Sequence, residues 1–135
     1  MRIANTLDEL DAVREWVEAF GADHGLPPRT LTGLLVSFDE VLNNLISYGY
    51  ADEARHEIVL CIALEDDAVT AEVQDDAIPF DPLAAPAPDL SGGVAERPVG
   101  GLGIHLLKKL NDEVTYRREA NQNRLTFKKR VGERT

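Results

Sequence analysis

Ser37-Phe38-Asp39-Glu40-Val41-Leu42-Asn43-Asn44 sets two acids and two amides inside a run whose apolar residues keep a helical spacing. Leu31, Leu34, Leu35, Phe38, Leu42 and Leu45 form one stripe, so the spacing predicts an amphipathic helix. Pro27-Pro28 opens it, because first-turn N–H groups have no helical partner for proline to remove. Gly49 closes it. Glu40 and Asn44 lie one turn apart on a shared face. At about 100° per residue they fall roughly 200–240° from Phe38, away from the apolar stripe. Asparagine is a mediocre helix former, so Asn43-Asn44 in mid-helix needs a reason. One reading is a solvated helix face. The other is chemical: the Asn44 carbonyl oxygen coordinates a hard cation such as Mg²⁺, and Glu40 holds a water or acts as a base.

Upstream, Leu7, Leu10, Val13, Trp16-Val17 and Phe20 repeat the helical spacing. Thr6 is the expected N-cap, with Glu9 completing a Thr-x-x-Glu capping box, and Gly21 or Gly25 is the expected stop. Downstream the texture changes. Ile58, Leu60, Ile62 and Leu64 alternate, Glu65-Asp66-Asp67 turns, and Val69, Ala71 and Val73 alternate again, which reads as a β-hairpin. Residues 77–100 lose all core periodicity and collect Pro79, Pro82, Pro86, Pro88, Gly92, Gly93, Pro98 and Gly100. A loop of that length in a compact domain reads as a lid or binding loop. A short helix is expected from Leu102 to Leu110. Two strands follow, Val114 to Arg118 and Arg124 to Lys129, joined by Glu119-Ala120-Asn121-Gln122-Asn123. The economical packing is a two-layer α/β (α+β) sandwich, with helices on one face of a mostly antiparallel mixed sheet.

Two further stretches have chemical potential. In Val73-Gln74-Asp75-Asp76-Ala77-Ile78-Pro79-Phe80-Asp81-Pro82 a strand ends in two carboxylates. Asp and Pro are ordinary turn residues. Alternatively, a carboxylate in a partly apolar pocket accepts the exocyclic amine of adenine, with Phe80 closing the pocket or packing beneath it. In Arg97-Pro98-Val99-Gly100-Gly101-Leu102-Gly103-Ile104-His105 three glycines run into a helix, which lets backbone N–H groups approach an anion. No Gly-Lys-Ser/Thr follows, so it is not a Walker A loop, and it does not follow the first strand of a βαβ unit. His105 reads as a packing or surface residue. No Cys/His group has zinc spacing, and no nucleophile–base pair suggests covalent hydrolysis.

The bulk properties narrow the classes. The 135 residues carry a net charge of −10, which argues against direct binding to nucleic acid or to anionic membranes. No apolar run approaches the roughly 20 residues of a membrane span, and Met1-Arg2-Ile3-Ala4-Asn5-Thr6 lacks a signal-peptide core. The single cysteine, Cys61, lies in an apolar run and reads as a small buried hydrophobe. These features imply a cytoplasmic protein.

The three stretches, in this order and spacing, resemble the GHKL ATPases with their Bergerat-type ATP-binding fold. Within that superfamily the chain is similar to the anti-sigma regulatory factor and serine-protein kinase branch. Glu40-x-x-x-Asn44 looks like the N box. Asp75-Asp76-Ala77 with Pro79-Phe80-Asp81-Pro82 looks like the first glycine box, and Val99-Gly100-Gly101-Leu102-Gly103-Ile104 like the second. Leu110-x-Asp112-x-Val114-x-Tyr116 and Asn123-x-Leu125-x-Phe127 also match the branch. The resemblance covers nearly the whole chain and implies one ATP-binding domain over residues 1–135 with a lid at about 77–100. It implies that Asn44 binds Mg²⁺, Glu40 is the general base and Asp75 bonds the adenine amine. Gly101 and Gly103, with backbone from Gly100 and Leu102, would receive phosphates, and Arg97 would reach a phosphate from the lid. The family usually has glycine two residues after the aspartate, where this chain has Ala77. If that turn needs φ > 0, alanine is strained, its methyl crowds the adenine, and nucleotide binding is weak.

Three readings follow. In the first, the chain is an anti-sigma factor that passes the γ-phosphoryl of ATP to a serine or threonine of a STAS-type anti-sigma factor antagonist. It would also bind a sigma factor and form a homodimer, as relatives do. In the second it is a non-catalytic, nucleotide-gated protein-binding module, which Ala77 favours. In the third it no longer binds nucleotide. A stable phosphoprotein after incubation with ATP appears only under the first.

Overall fold

The computed structural model describes residues 1–50, 52, 54–78 and 101–131. The elements run β1 (Arg2–Ala4), a 3₁₀ turn (Leu7–Glu9), α1 (Leu10–His24), α2 (Pro28–Tyr48), β2 (Glu57–Glu65), β3 (Ala68–Asp75), α3 (Gly101–Leu110), β4 (Glu113–Glu119) and β5 (Gln122–Arg130). The five strands form one sheet in the order β1-β2-β3-β5-β4. Every pairing is antiparallel, so the sheet is not mixed as expected from the sequence. The expected α+β sandwich otherwise stands.

Strand parity decides which residues form the core. Ile58 and Leu60 of β2, Val69, Ala71 and Val73 of β3, and Leu125 and Phe127 of β5 are buried and face the helices. Val13 and Val17 of α1, Leu34, Phe38 and Leu42 of α2, and Leu107 of α3 meet them from the helical layer. Phe38 joins the two layers, with its ring edge-on to Phe127 at 5.2 Å and to Trp16 at 6.0 Å. Burying such a side chain stabilises the fold by about 1.5–3 kcal/mol. At the end of α3, Asn111 Nδ2 donates to Ser37 Oγ on α2 at 3.0 Å and to Leu107 O at 2.9 Å. No helix among the described residues is long and apolar enough to cross a membrane.

The structure corrects several expectations. The capping box does not form: Thr6 makes no side-chain cap bond, and Glu9 Oε2 instead accepts the Ala4 N–H at 2.8 Å. The chain enters α1 through the 3₁₀ turn, which displaces Glu9 from the box geometry. Of the two expected stops for α1, Gly25 is the one used. Gly25 takes φ +62, its N–H donates to Ala22 O, and the Leu26 N–H donates to Gly21 O at 3.0 Å. This pair of bonds is a Schellman motif, which a residue without Cβ satisfies at least cost. Proline at the first position of α2 is as expected. β1 was missed because three residues are too few to show alternation. It is tied to β2 by Met1 O, which accepts the Leu60 N–H at 2.7 Å, and by the terminal ammonium, which donates to Leu60 O at 2.8 Å. The last hairpin is tighter than the expected five-residue link. Ala120 and Asn121 alone join the strands, at φ 54 and 63, as a type I′ turn requires. α3 starts one residue earlier than expected, at Gly101. Cys61 is exposed, because it pairs with Glu72 on the outer face of the sheet while Leu60 and Ile62 point inward.

Candidate functional site

The polar face of α2 answers the question its sequence raised in two different ways. Asn43 is exposed, and its Nδ2 donates to the Asp39 carbonyl one turn back at 2.8 Å. Asp39 in turn takes Arg14 of α1, at 3.0 and 3.3 Å. Glu40 and Asn44 are half-buried on the adjoining face and make no side-chain hydrogen bond among the described residues. Their oxygens are therefore left to something other than the described protein.

The C-terminal end of α2 touches the segment that leaves β3. The Gly49 N–H closes the helix on Leu45 O at 2.8 Å, and the Gly49 carbonyl accepts the Ile78 N–H at 3.1 Å. Gly49 has φ −79, so its role is not a left-handed turn. Space is the reason for glycine: a Cβ there would lie 2.6 Å from the Leu45 carbonyl oxygen and 3.4 Å from the Ala77 methyl.

Asp75, the last residue of β3, is 7% exposed. Its Oδ1 accepts the Ala77 N–H at 2.9 Å, an Asx turn, and the Asn123 amide at 2.9 Å. Burial pushes the carboxyl up from its ordinary range, the Asn123 and Ala77 bonds oppose that, and neighbouring Asp76 adds to it. Ala77 is buried and does not have positive φ, so the strain expected of alanine here is absent. The Ala77 carbonyl accepts the Arg118 guanidinium at 2.9 Å.

Reading the sequence for chemistry missed what Asn123 does. Asn123 is 6% exposed and lies directly across from Asp75 in the β3–β5 register. The signal was present: an amide occupies the inward-facing phase of Asn123, Leu125 and Phe127, where a hydrophobe is expected.

A second polar group lies beside Asp76. His56 Nδ1 is 3.1 Å from the Asp76 carboxylate, and Nε2 is 2.7 Å from Asp52. Its bond to Asp52, then its bond to Asp76, raise its pKa. Tyr50 stacks on the His56 ring at 4.5 Å. The Tyr50 hydroxyl is buried without a partner among the described residues, and burial, followed by Asp75 and Asp76, pushes its pKa up.

Gly101, Leu102 and Gly103 form the first turn of α3, as helix backbone. Phe80, Arg97 and Gly100 lie outside the described residues. The structure thus joins Asp75 and Ala77 to the end of α2 and to β5, and leaves Glu40 and Asn44 on a separate, unengaged stretch of the same helix.

Comparison with known proteins bears on the family and the fold. Residues 3–129 match the histidine kinase-like ATPase domain family. The serine/threonine-protein kinase BtrW of Bordetella bronchiseptica is 25% identical over 112 residues, spanning 83% of this chain and 79% of that protein. Among solved structures, one containing RsbU and RsbW domains from Mycobacterium tuberculosis superposes with a TM-score of 0.65 at 18% identity. That match covers 97% of this chain and 31% of the other. The histidine kinase domain of a blue-light-activated kinase from Erythrobacter litoralis gives 0.57 at 18% identity, over 80% and 48% of the two chains. At these identities the solved structures speak for the fold alone.

Proposed function

The chain belongs to the histidine kinase-like ATPase domain family, and from that premise we propose that it binds ATP with Mg²⁺ and transfers the γ-phosphoryl group to a serine or threonine hydroxyl of a protein partner. The observation that carries the reading is the buried Asp75 carboxylate, held on one oxygen by Asn123 and the Ala77 N–H. A carboxylate kept from water is stabilised by each added donor, and the exocyclic amine of adenine is such a donor.

Glu40 and Asn44 take the other end of the nucleotide. Among the described residues no three acidic, histidine or cysteine side chains gather as a metal cage. The Asn44 carbonyl oxygen is a hard donor that suits Mg²⁺, which keeps waters and phosphate oxygens and needs few protein ligands. The ion would supply charge neutralisation at the phosphates. Glu40 accepts the proton as the partner's hydroxyl oxygen bonds the γ-phosphorus, and the bond to the bridging oxygen breaks to release ADP. The first turn of α3, with Gly101, Leu102 and Gly103, presents backbone N–H groups to phosphate, and Gly100 and Arg97 complete that end.

The similarity to a serine/threonine-protein kinase favours a protein acceptor. We assign that acceptor to the anti-sigma factor antagonist class, with a sigma factor as the second partner and a homodimer as the working form. The rival reading, a nucleotide-gated module without transfer, drew its support from strain at Ala77, and that strain is absent. Incubating the protein with labelled ATP, Mg²⁺ and candidate antagonists tests the assignment. The expected result is a phosphorylated serine or threonine on the antagonist, lost in Glu40→Ala. ATP binding without any phosphoprotein would leave the gated module as the better reading.

A further inference from the structure

Asn123 has more partners than a structural amide needs. Its Nδ2 faces Asp75 Oδ1 at 2.9 Å, the Ile78 carbonyl at 3.0 Å and the Ala77 carbonyl at 3.3 Å. Its Oδ1 accepts the Tyr116 hydroxyl and the Arg118 guanidinium, the latter at 3.1 Å. Both donors come from β4, the outer strand beside β5.

This arrangement permits only one orientation of the amide. Rotated by half a turn, the amide would set its oxygen against three acceptors and its NH₂ against the Arg118 guanidinium. Each mismatch leaves a buried polar group unpaired, which costs more than a hydrogen bond gains. Arg118, which can only donate, therefore dictates that Asn123 presents its NH₂ to Asp75, and the Tyr116 hydroxyl adds a second bond in that orientation. The same NH₂ takes the Ile78 carbonyl, and Arg118 takes the Ala77 carbonyl at 2.9 Å. One side chain, oriented from the edge strand, holds both the carboxylate and the carbonyls of Ala77 and Ile78, the second and third residues after it.

We propose that Asn123, oriented by Tyr116 and Arg118, is a positioning residue that sets the Asp75 carboxylate for an amine-bearing purine and so determines selectivity for adenine over hypoxanthine. This rests on the reading of Asp75 as the adenine acceptor. With Oδ1 committed to Asn123 and the Ala77 N–H, two donors favour the charged carboxylate and aim it, and Oδ2 is the atom assigned to the base amine. A 6-oxo purine offers an acceptor at that place and is rejected. Without Asn123 the carboxyl loses a donor that opposes the effect of burial. It then protonates more readily, and in that form it offers a proton to a 6-oxo group.

The test combines two measurements on the whole chain, unmodified and as Asn123→Ala and Tyr116→Phe. The first is the titration of the Asp75 carboxyl by carbon-13 NMR without nucleotide. The second is the affinity for ATP and for inosine triphosphate across pH. The expected result is that Asp75 titrates at higher pH in Asn123→Ala, and that the ATP-to-ITP affinity ratio falls about tenfold, the worth of one hydrogen bond to a charged group. Tyr116→Phe moves both readouts in the same direction by about threefold or less, since Arg118 still holds the amide. Its conservative change keeps the test alive if Asn123→Ala does not fold. An unchanged titration and an unchanged ratio in a folded variant would overturn the inference, as would equal losses for the two nucleotides, the mark of a merely structural role. Equal affinity of the unmodified protein for ATP and ITP would instead overturn the adenine reading, and with it the selectivity claim. The titration would still decide whether Asn123 positions Asp75.

Discussion

The outer face of α2 and the end of β3 carry the two halves of the proposed site, and they are built on opposite terms. On α2, Glu40 and Asn44 are half-buried and bonded to nothing among the described residues. At the end of β3, Asp75 is buried, doubly bonded on one oxygen and faced by an amide that is itself oriented by two donors. The difference teaches where preorganisation is needed. Phosphate and metal bring strong charge and their own ligands, so under the proposed function oxygens left free suffice for them. A base amine brings one weak donor, so the acceptor must be held in place beforehand.

The contrast breaks most visibly at Glu40. Glu40→Ala removes the proposed base but no side-chain hydrogen bond among the described residues. Phosphoryl transfer should fall about 10²–10⁴-fold with thermal stability unchanged, as read by a labelled-ATP assay beside a melting curve. A large loss of stability would mean that Glu40 belongs to the preorganised half after all. Next comes Asp75→Asn, which keeps an acceptor for Asn123 and the Ala77 N–H but turns an NH₂ toward the base. ATP affinity should drop about 10–100-fold and ITP should improve relative to it, by competition titration. Unaltered ATP binding would remove Asp75 from the site.

Gly49 connects the two halves, and substituting it sharpens the comparison. A Cβ at 2.6 Å from the Leu45 carbonyl oxygen forces backbone to move. Gly49→Ala should therefore cost about 1–3 kcal/mol in denaturant unfolding. A neutral result would mean that the α2 terminus adapts freely. The smallest effect is at His56, next to the preorganised half. Its pKa is raised by Asp52 and Asp76, so its pairing is fully present below the unfolded value of about 6.5 and is lost as pH rises through the higher folded value. Relative to His56→Gln, the unmodified protein should melt slightly higher near pH 6, and the gap should close towards about pH 9. A gap that does not change with pH would show that the Asp52–His56–Asp76 link contributes no charge-dependent stability.

Much of this was legible in the chain. The stripe from Leu31 to Leu45 and the alternation from Ile58 to Val73 name the helix and the hairpin because periodicity reports which side is buried. Asp75, Asn44 and Glu40 were legible as candidates because polar residues interrupt those patterns. What was not legible depends on contacts between distant segments. The N-terminal strand exists only because β2 has an edge to offer. Cys61 lies outside because strand parity, not residue type, assigns faces. The partners of Asn123 on β4 and after β3 are set by register, which no local spacing reveals. Ala77 misled for a related reason: family habit suggested a positive φ, and the Asx bond from Asp75 shapes the turn without one.

The most direct test of the central claim is calorimetric titration of the protein with ATP, with and without Mg²⁺, alongside Asn44→Ala. The account predicts saturable binding that weakens when Mg²⁺ is omitted and that loses its Mg²⁺ dependence in the variant. No binding at millimolar ATP, or binding indifferent to both Mg²⁺ and Asn44, would contradict it.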